Sequence, residues 1–134
     1  FVEGDAVLSG ITRFIDQVPH SELLKIYGQT DLQLLVLAHT AIAPGNLPGK
    51  FFEYLASGNP ILAIGPADGD AAQVLKETKA GDIHERNDEE GMKKSLLAFY
   101  ETWRTGVTIE KREVKKFTRA ALTEQLVALL ERTD

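Results

Sequence analysis

Between residues 45 and 53 the chain reads GNLPGKFFE, and Gly45, Gly49, Lys50 and Glu53 are spaced as in a loop that delivers an anion to a helix. Glycines without side chains let backbone N–H groups come close to a phosphate. A helix beginning here has unpaired N–H groups and roughly half a positive charge at its start, so it favours an anion. Lys50 would add a full positive charge in the first turn. Without an anion that lysine opposes the macrodipole, at ~0.3–1 kcal/mol when exposed, and an arriving phosphate reverses the balance. Glu53, three residues further on and on nearly the same face, can accept hydrogen bonds from both hydroxyls of a ribose. A plainer reading stays open beside this one. Lys50 and Glu53 could form an i,i+3 surface ion pair contributing ~0.2–0.5 kcal/mol, with the glycines serving as turns.

Other residues carry chemistry with less pattern behind them. His39 and Thr40 end a strand near the same loop and are candidates for ligand contact. His20 precedes a helix and reads as a capping or surface residue; His84 reads as structural or exposed. Asp68 and Asp70 in PADGD suit a turn as well as a ligand. Trp103 belongs to an aromatic stripe that reads as core. KREVKK at 111–116 reads as a solvated face. The three histidines form no HxxxH or HxH pair, so a metal site is not expected.

The elements that must position these residues follow from apolar periodicity punctuated by Gly and Pro. ITRFID (11–16) reads as a short strand and VPHSELLKIYGQTD (18–31) as a helix with Pro19 at its start and Gly28 at its stop. LQLLVLA (32–38) and PILAIG (60–65) are apolar at nearly every position, as in parallel strands covered on both faces. Between them lies a helix over 48–57, ended by Gly58. A helix over 68–81 with a glycine stop leads to the short run DIHE. NDEEGMKKSLLAFYETWRTG (87–106) reads as an amphipathic helix with an Asn87–Glu90 capping box and an apolar stripe of Met92, Leu96, Leu97, Phe99, Tyr100 and Trp103. A hinge over 107–117 precedes a last helix bearing Leu122, Leu126, Leu129 and Leu130. Strands alternating with helices at this spacing predict an α/β fold with a doubly wound parallel sheet and right-handed crossovers.

At 134 residues the chain is one domain's worth. FVEGDAVLSG reads as the middle of something, so a fragment of a longer two-domain chain is expected. A net charge of −5 argues against a nucleic-acid binder. The lack of cysteine excludes disulfides and thiolate metal sites and accords with a reducing compartment. No run approaches the ~18 apolar residues of a membrane span.

GNLPGKFFEYLASGNPILAIGPADGDAAQVLKETKAG (45–81) resembles the C-terminal, nucleotide-sugar-binding domain of GT-B fold glycosyltransferases of the family 4 type. VPHSELLKIYGQTDLQLLVL (18–37) is similar to the same family's proline-containing turn, helix, aspartate and strand, and FTRAALTEQLVALL (117–130) to its tail helix. The resemblance implies a three-layer Rossmann-like domain over 1–134, with tail helices in 107–134. It implies transfer of a sugar from a nucleoside diphosphate sugar to a hydroxyl of a glycan or lipid-linked acceptor, in the cytoplasm or at the inner face of the membrane. Glu53 matches the glutamate that holds the donor ribose; Gly49 and Lys50 match the helix start facing the diphosphate. Gly45 and Asn46 belong to the donor loop, Pro19 to the turn near the base, and Asp68 and Gly69 to the loop near the sugar or phosphates. Lys50 and Glu53 are the residues expected to act in the reaction. Lys50, the helix dipole and backbone amides would stabilise the leaving diphosphate with no metal or cofactor. Many relatives carry a second glutamate eight positions before Glu53, where this chain has Gly45, and Asp70 stands where they often have glycine or glutamate. The resemblance further implies a partner domain N-terminal in the same chain, without which this part would be inactive, and an exposed tail helix able to self-associate. Two other readings are kept: half of a nucleotide-sugar epimerase, which lacks its serine/glycine-rich motif near Glu53, and a receiver-like or flavodoxin-like interaction module. Asp31 precedes its strand, which counts against a receiver.

Overall fold

The two apolar runs and the short run at DIHE supply three parallel strands, β1 (Gln33–Val36), β2 (Ile61–Ile64) and β3 (Gly81–His84), lying side by side in that order. The computed structural model describes residues 2–38, 45–106 and 114–132. Register sets Ala63 between Leu35 and Ile83, and Ile64 between Val36 and His84. Before the sheet come α1 (Ala6–Ile11) and α2 (His20–Gly28); α3 (Gly49–Ser57) lies between β1 and β2, and α4 (Asp70–Thr78) between β2 and β3. After β3 follow α5 (Glu89–Arg104) and α6 (Arg119–Leu130), the latter preceded by a 3₁₀ turn at Lys115–Phe117. The result is an α/β domain built on an open parallel sheet. Among the described residues no helix is long and apolar enough to cross a membrane.

The core sits where α3 and α4 meet the sheet. Phe51 and Leu55, one turn apart on α3, and Ala71, Val74 and Leu75 on α4 pack with Leu35, Ile61 and Ala63. That i,i+3/i+4 spacing puts each set on one helix face. Phe51, Leu35, Leu55, Ile61 and Leu75 are fully buried, and each contributes about 1.5–3 kcal/mol on leaving water. α2 is tied to α3 near its own C-terminal end. The Tyr27 ring meets Tyr54 edge-on at 4.9 Å. The Tyr27 carbonyl accepts from Asn59 Nδ2 at 2.7 Å and Gln33 Nε2 at 3.2 Å. Gln33 Nε2 also donates to Ser57 Oγ at 3.0 Å.

Several expectations are corrected. The strand expected over 11–16 is absent: Ile11 closes α1, whose first turn Asp5 caps by accepting from Val7 and Leu8 N–H, and residues 12–19 form no regular element. A strand needs a ladder partner, and no strand of the sheet pairs with this segment. α4 is stopped by Lys79 in a left-handed conformation, φ 51°, and Gly81 opens β3 instead. A Cβ at Gly81 would lie 1.8 Å from the Ile61 carbonyl oxygen, so only glycine fits there. At α5 the cap is Asp88, not Asn87; its carboxylate accepts the Gly91 N–H. β1 is not covered on both faces, since Leu34 and Val36 are each 56% exposed. The α5 stripe is not core either. Trp103 is 58% exposed and Leu96, Leu97 and Tyr100 are exposed with it, while Ser95 on the same helix is buried. Hydropathy could not anticipate this, because it reports what a side chain prefers and not what stands beside it.

Candidate functional site

α3 begins without side-chain help. Its N-cap is Pro48, which makes no side-chain cap hydrogen bond, and no acidic residue occupies the first turn. By contrast α2, α4 and α5 each carry an acid there. Gly49 and Lys50 are exposed at this start. Of the first N–H groups of α3, that of Phe51 donates to the Pro48 carbonyl at 2.9 Å, while those of Gly49 and Lys50 stand at the exposed start with a lysine beside them and no acid in the first turn.

Glu53 stands one turn deeper, half-buried, but its partner is not Lys50. Glu53 Oε1 lies 2.9 Å from His20 Nε2, the first residue of α2. Among the described residues Lys50 makes no ion pair, so the surface Lys50–Glu53 pair is not formed. His20 is 66% exposed and Glu53 32% in their side chains, so water reaches the pair. One carboxylate oxygen is held and Oε2 remains available to a ligand. Nearby, Tyr27 is pushed above its ordinary value by burial first, and then by Tyr54 and the Glu53 charge.

The other expected donor residues lie on the segments that lead into α2, α3 and α4. Pro19 caps α2 immediately before His20. Gly45 and Asn46 are exposed just ahead of α3, and a Cβ at Gly45 would come within 4.0 Å of Asp70 Oδ2. The loop before α3 thus reaches the start of α4. There Gly69 is the N-cap, again without a side-chain cap hydrogen bond, and Asp68 is exposed. The PADGD turn is fastened by Ala67 N–H donating to Glu85 Oε1 at 2.8 Å. Among the described residues no hydrogen bond joins Asp68, Gly69 or Gly45 to Glu53. His39 and Thr40 lie outside the described residues, as do positions 41–44 of the loop and the first part of KREVKK.

Two features have no counterpart in the sequence reading. One is His20 as the partner of Glu53, thirty-three residues away. The other is a groove of about 510 Å³ beside Glu53, where Phe52 and Leu55 of α3 face Phe117, Arg119 and Leu122 at the start of the tail. The tail is pinned there by Lys116, whose ammonium binds the Glu77 carboxylate of α4. That contact, with a second from Gln73, holds Glu77 below its ordinary value. Among the described residues no cluster of three or more His, Cys, Asp or Glu side chains could hold a metal ion.

Comparison with protein-family models, with curated proteins and with solved structures finds no match to this chain.

Proposed function

We propose that this domain is the donor-binding half of a glycosyltransferase acting on a nucleoside diphosphate sugar, with a three-layer, doubly wound Rossmann-like sheet as its scaffold. The observation that carries the reading is the start of α3: exposed, uncapped by any side chain, bearing Lys50, with the Glu53 carboxylate one turn deeper. The diphosphate would take the Gly49 and Lys50 N–H groups and the Lys50 ammonium. The ribose hydroxyls would take Glu53, and the loops at Gly45–Asn46 and Asp68–Gly69 would close around the sugar phosphate. Pro19 would lie against the base. Lys50 and the helix dipole stabilise charge developing on the leaving diphosphate, and this needs donors already in place more than it needs a metal.

The acceptor, a glycan or a lipid-linked sugar, would be supplied from a second domain N-terminal in the same chain, and activity would require both. Exposed Leu126, Leu129 and Leu130 on α6 are proposed as the face by which this part self-associates when that domain is absent. Sedimentation velocity would show concentration-dependent dimers in the wild type and a monomer in Leu126→Glu; a monomer at every wild-type concentration removes that proposal.

The test of function is isothermal titration with UDP, GDP and their sugars. Binding should be present in the wild type and weakened about tenfold or more in Glu53→Gln and Lys50→Met, since a hydrogen bond to a charged group is worth about 1.5–3 kcal/mol. A folded sample that binds none of these nucleotides refutes the reading.

A further inference from the structure

At the opposite edge of the sheet from β1, three side chains form a hydrogen-bonded chain that the donor site does not use. His84 closes β3; its Nδ1 lies 2.9 Å from Asp88 Oδ2 and its Nε2 lies 2.8 Å from Ser95 Oγ. With Asp88 ionised, one proton arrangement serves both contacts of a neutral imidazole. Nδ1–H donates to the carboxylate, and Nε2 accepts from the Ser95 hydroxyl. The second Asp88 oxygen accepts Gly91 N–H at 3.0 Å, so the carboxylate is oriented from both sides.

Two observations show that the arrangement is built rather than incidental. A Cβ at Gly91 would lie 2.1 Å from Asp88 Oδ2 and 2.6 Å from His84 Nδ1, so the pair occupies space that only glycine leaves. Hydroxyls elsewhere inside helices, those of Thr78, Thr102 and Thr123, donate to the carbonyl one turn back. That is the ordinary habit of a helical hydroxyl. Ser95 is bonded to the imidazole instead. Although Ser95 is only 8% exposed, it and His84 line a cavity of about 670 Å³ together with Lys76, Lys94 and Leu75.

We propose that Ser95, His84 and Asp88 form an acyl-transfer site for short-chain carboxylic esters, separate from the nucleotide site. Ser95 Oγ attacks the ester carbonyl carbon as its proton passes to His84 Nε2. Asp88 stays ionised and pairs with the imidazolium. The tetrahedral oxyanion is met by the Lys76 and Lys94 ammonium groups, because the backbone N–H groups of a helix interior are already spent on the helix. Collapse breaks the bond to the alcohol, which leaves with the proton from His84. Water then attacks the acyl-Ser95, giving its proton to His84, and the carboxylic acid departs as Oγ recovers its hydrogen. The narrow exposure of Ser95 is what restricts the acyl group to a short chain.

The test uses the whole chain, p-nitrophenyl acetate to follow turnover, and an alkyl fluorophosphonate with peptide mass mapping to locate the nucleophile. The expected result is a single adduct on Ser95. Nitrophenol release and labelling should fall about a hundredfold or more in His84→Gln, the size of a general-base contribution, and release should fall to background in Ser95→Ala. Asp88→Asn keeps a good helix cap and should still lose rate. An adduct elsewhere with Ser95 unmodified, or equal labelling of wild type and His84→Gln, overturns the proposal. Should Ser95→Ala fail to fold, the mapping on the wild type decides alone, because Ser95 either carries the adduct or does not.

Discussion

Replacing His20 with alanine separates what holds Glu53 in place from what holds the fold. The contact is a single 2.9 Å hydrogen bond between side chains that are 66% and 32% exposed. Exposed pairs contribute about 0–1 kcal/mol, so His20→Ala should leave thermal unfolding within a few degrees of the wild type. α2 stays docked through Tyr27, Tyr54, Gln33 and Asn59, none of which the substitution touches. The effect on binding is expected to be larger than the effect on stability. With His20 gone, Glu53 samples other rotamers and must be ordered when a ribose arrives, at about 0.5–1.5 kcal/mol for an immobilised side chain. That corresponds to a nucleotide Kd raised about 2- to 10-fold. Calorimetric titration with the nucleotide that binds the wild type measures it, beside a thermal melt of each variant. His20→Gln, which keeps an N–H donor, should recover part of the loss. Affinity unchanged in His20→Ala, or a loss that follows unfolding instead of orientation, would refute the reasoning.

Gly81→Ala places a methyl 1.8 Å from the Ile61 carbonyl oxygen and 2.6 Å from its carbon, so β3 must move away from the central strand. Strain beside the fully buried Ile61 should cost about 2–4 kcal/mol, read as a lower denaturation midpoint; a wild-type midpoint would count against the observed register. Stability should also fall in acid. Asp88, held down chiefly by its hydrogen bond to His84, and Glu77, held down chiefly by Lys116, both sit below their ordinary values of 3.8 and 4.5. A depressed carboxylate stabilises the fold above its unfolded value, and that contribution is lost as pH falls through the folded one. Urea midpoints measured from pH 6 downward should therefore drop as these groups protonate, less steeply in Asp88→Asn, and parallel curves for the two proteins would dismiss this account. Tyr27 acts in the opposite range. Its raised value means that its contribution is complete below the ordinary 10.0 and is lost as pH rises through the folded value.

Much of the scaffold was legible because its cues are local. Period-3.6 apolar spacing in α3 and α4, apolar runs bounded by Gly and Pro at β1 and β2, and Gly58 with φ 81° after α3 all report on neighbours a few residues away. The exposed start of α3 was legible for the same reason, since a lysine following glycine and proline is a local pattern. What failed depended on distant partners. Residues 11–16 have strand-forming side chains and no strand beside them. LQLLVL and the α5 stripe are apolar, yet Leu34, Val36 and Trp103 are each more than half exposed, and the ring beside Trp103 is Tyr100 of the same helix.

The pairings that give the surface its chemistry were settled by tertiary structure alone. His20 reaches Glu53 because α2 is laid on α3 by two tyrosines and two amides, and no spacing along the chain encodes that distance. Ser95 meets His84 because parallel pairing sets the C-terminal end of β3 against α5, and the glycine at 91 leaves the room. The sequence by itself determined which segments could be helix or strand and where a helix would start with a lysine and no acid, since propensity, capping and charge act over single turns. Only the folded chain decided which side chains face one another, because that depends on how whole elements pack.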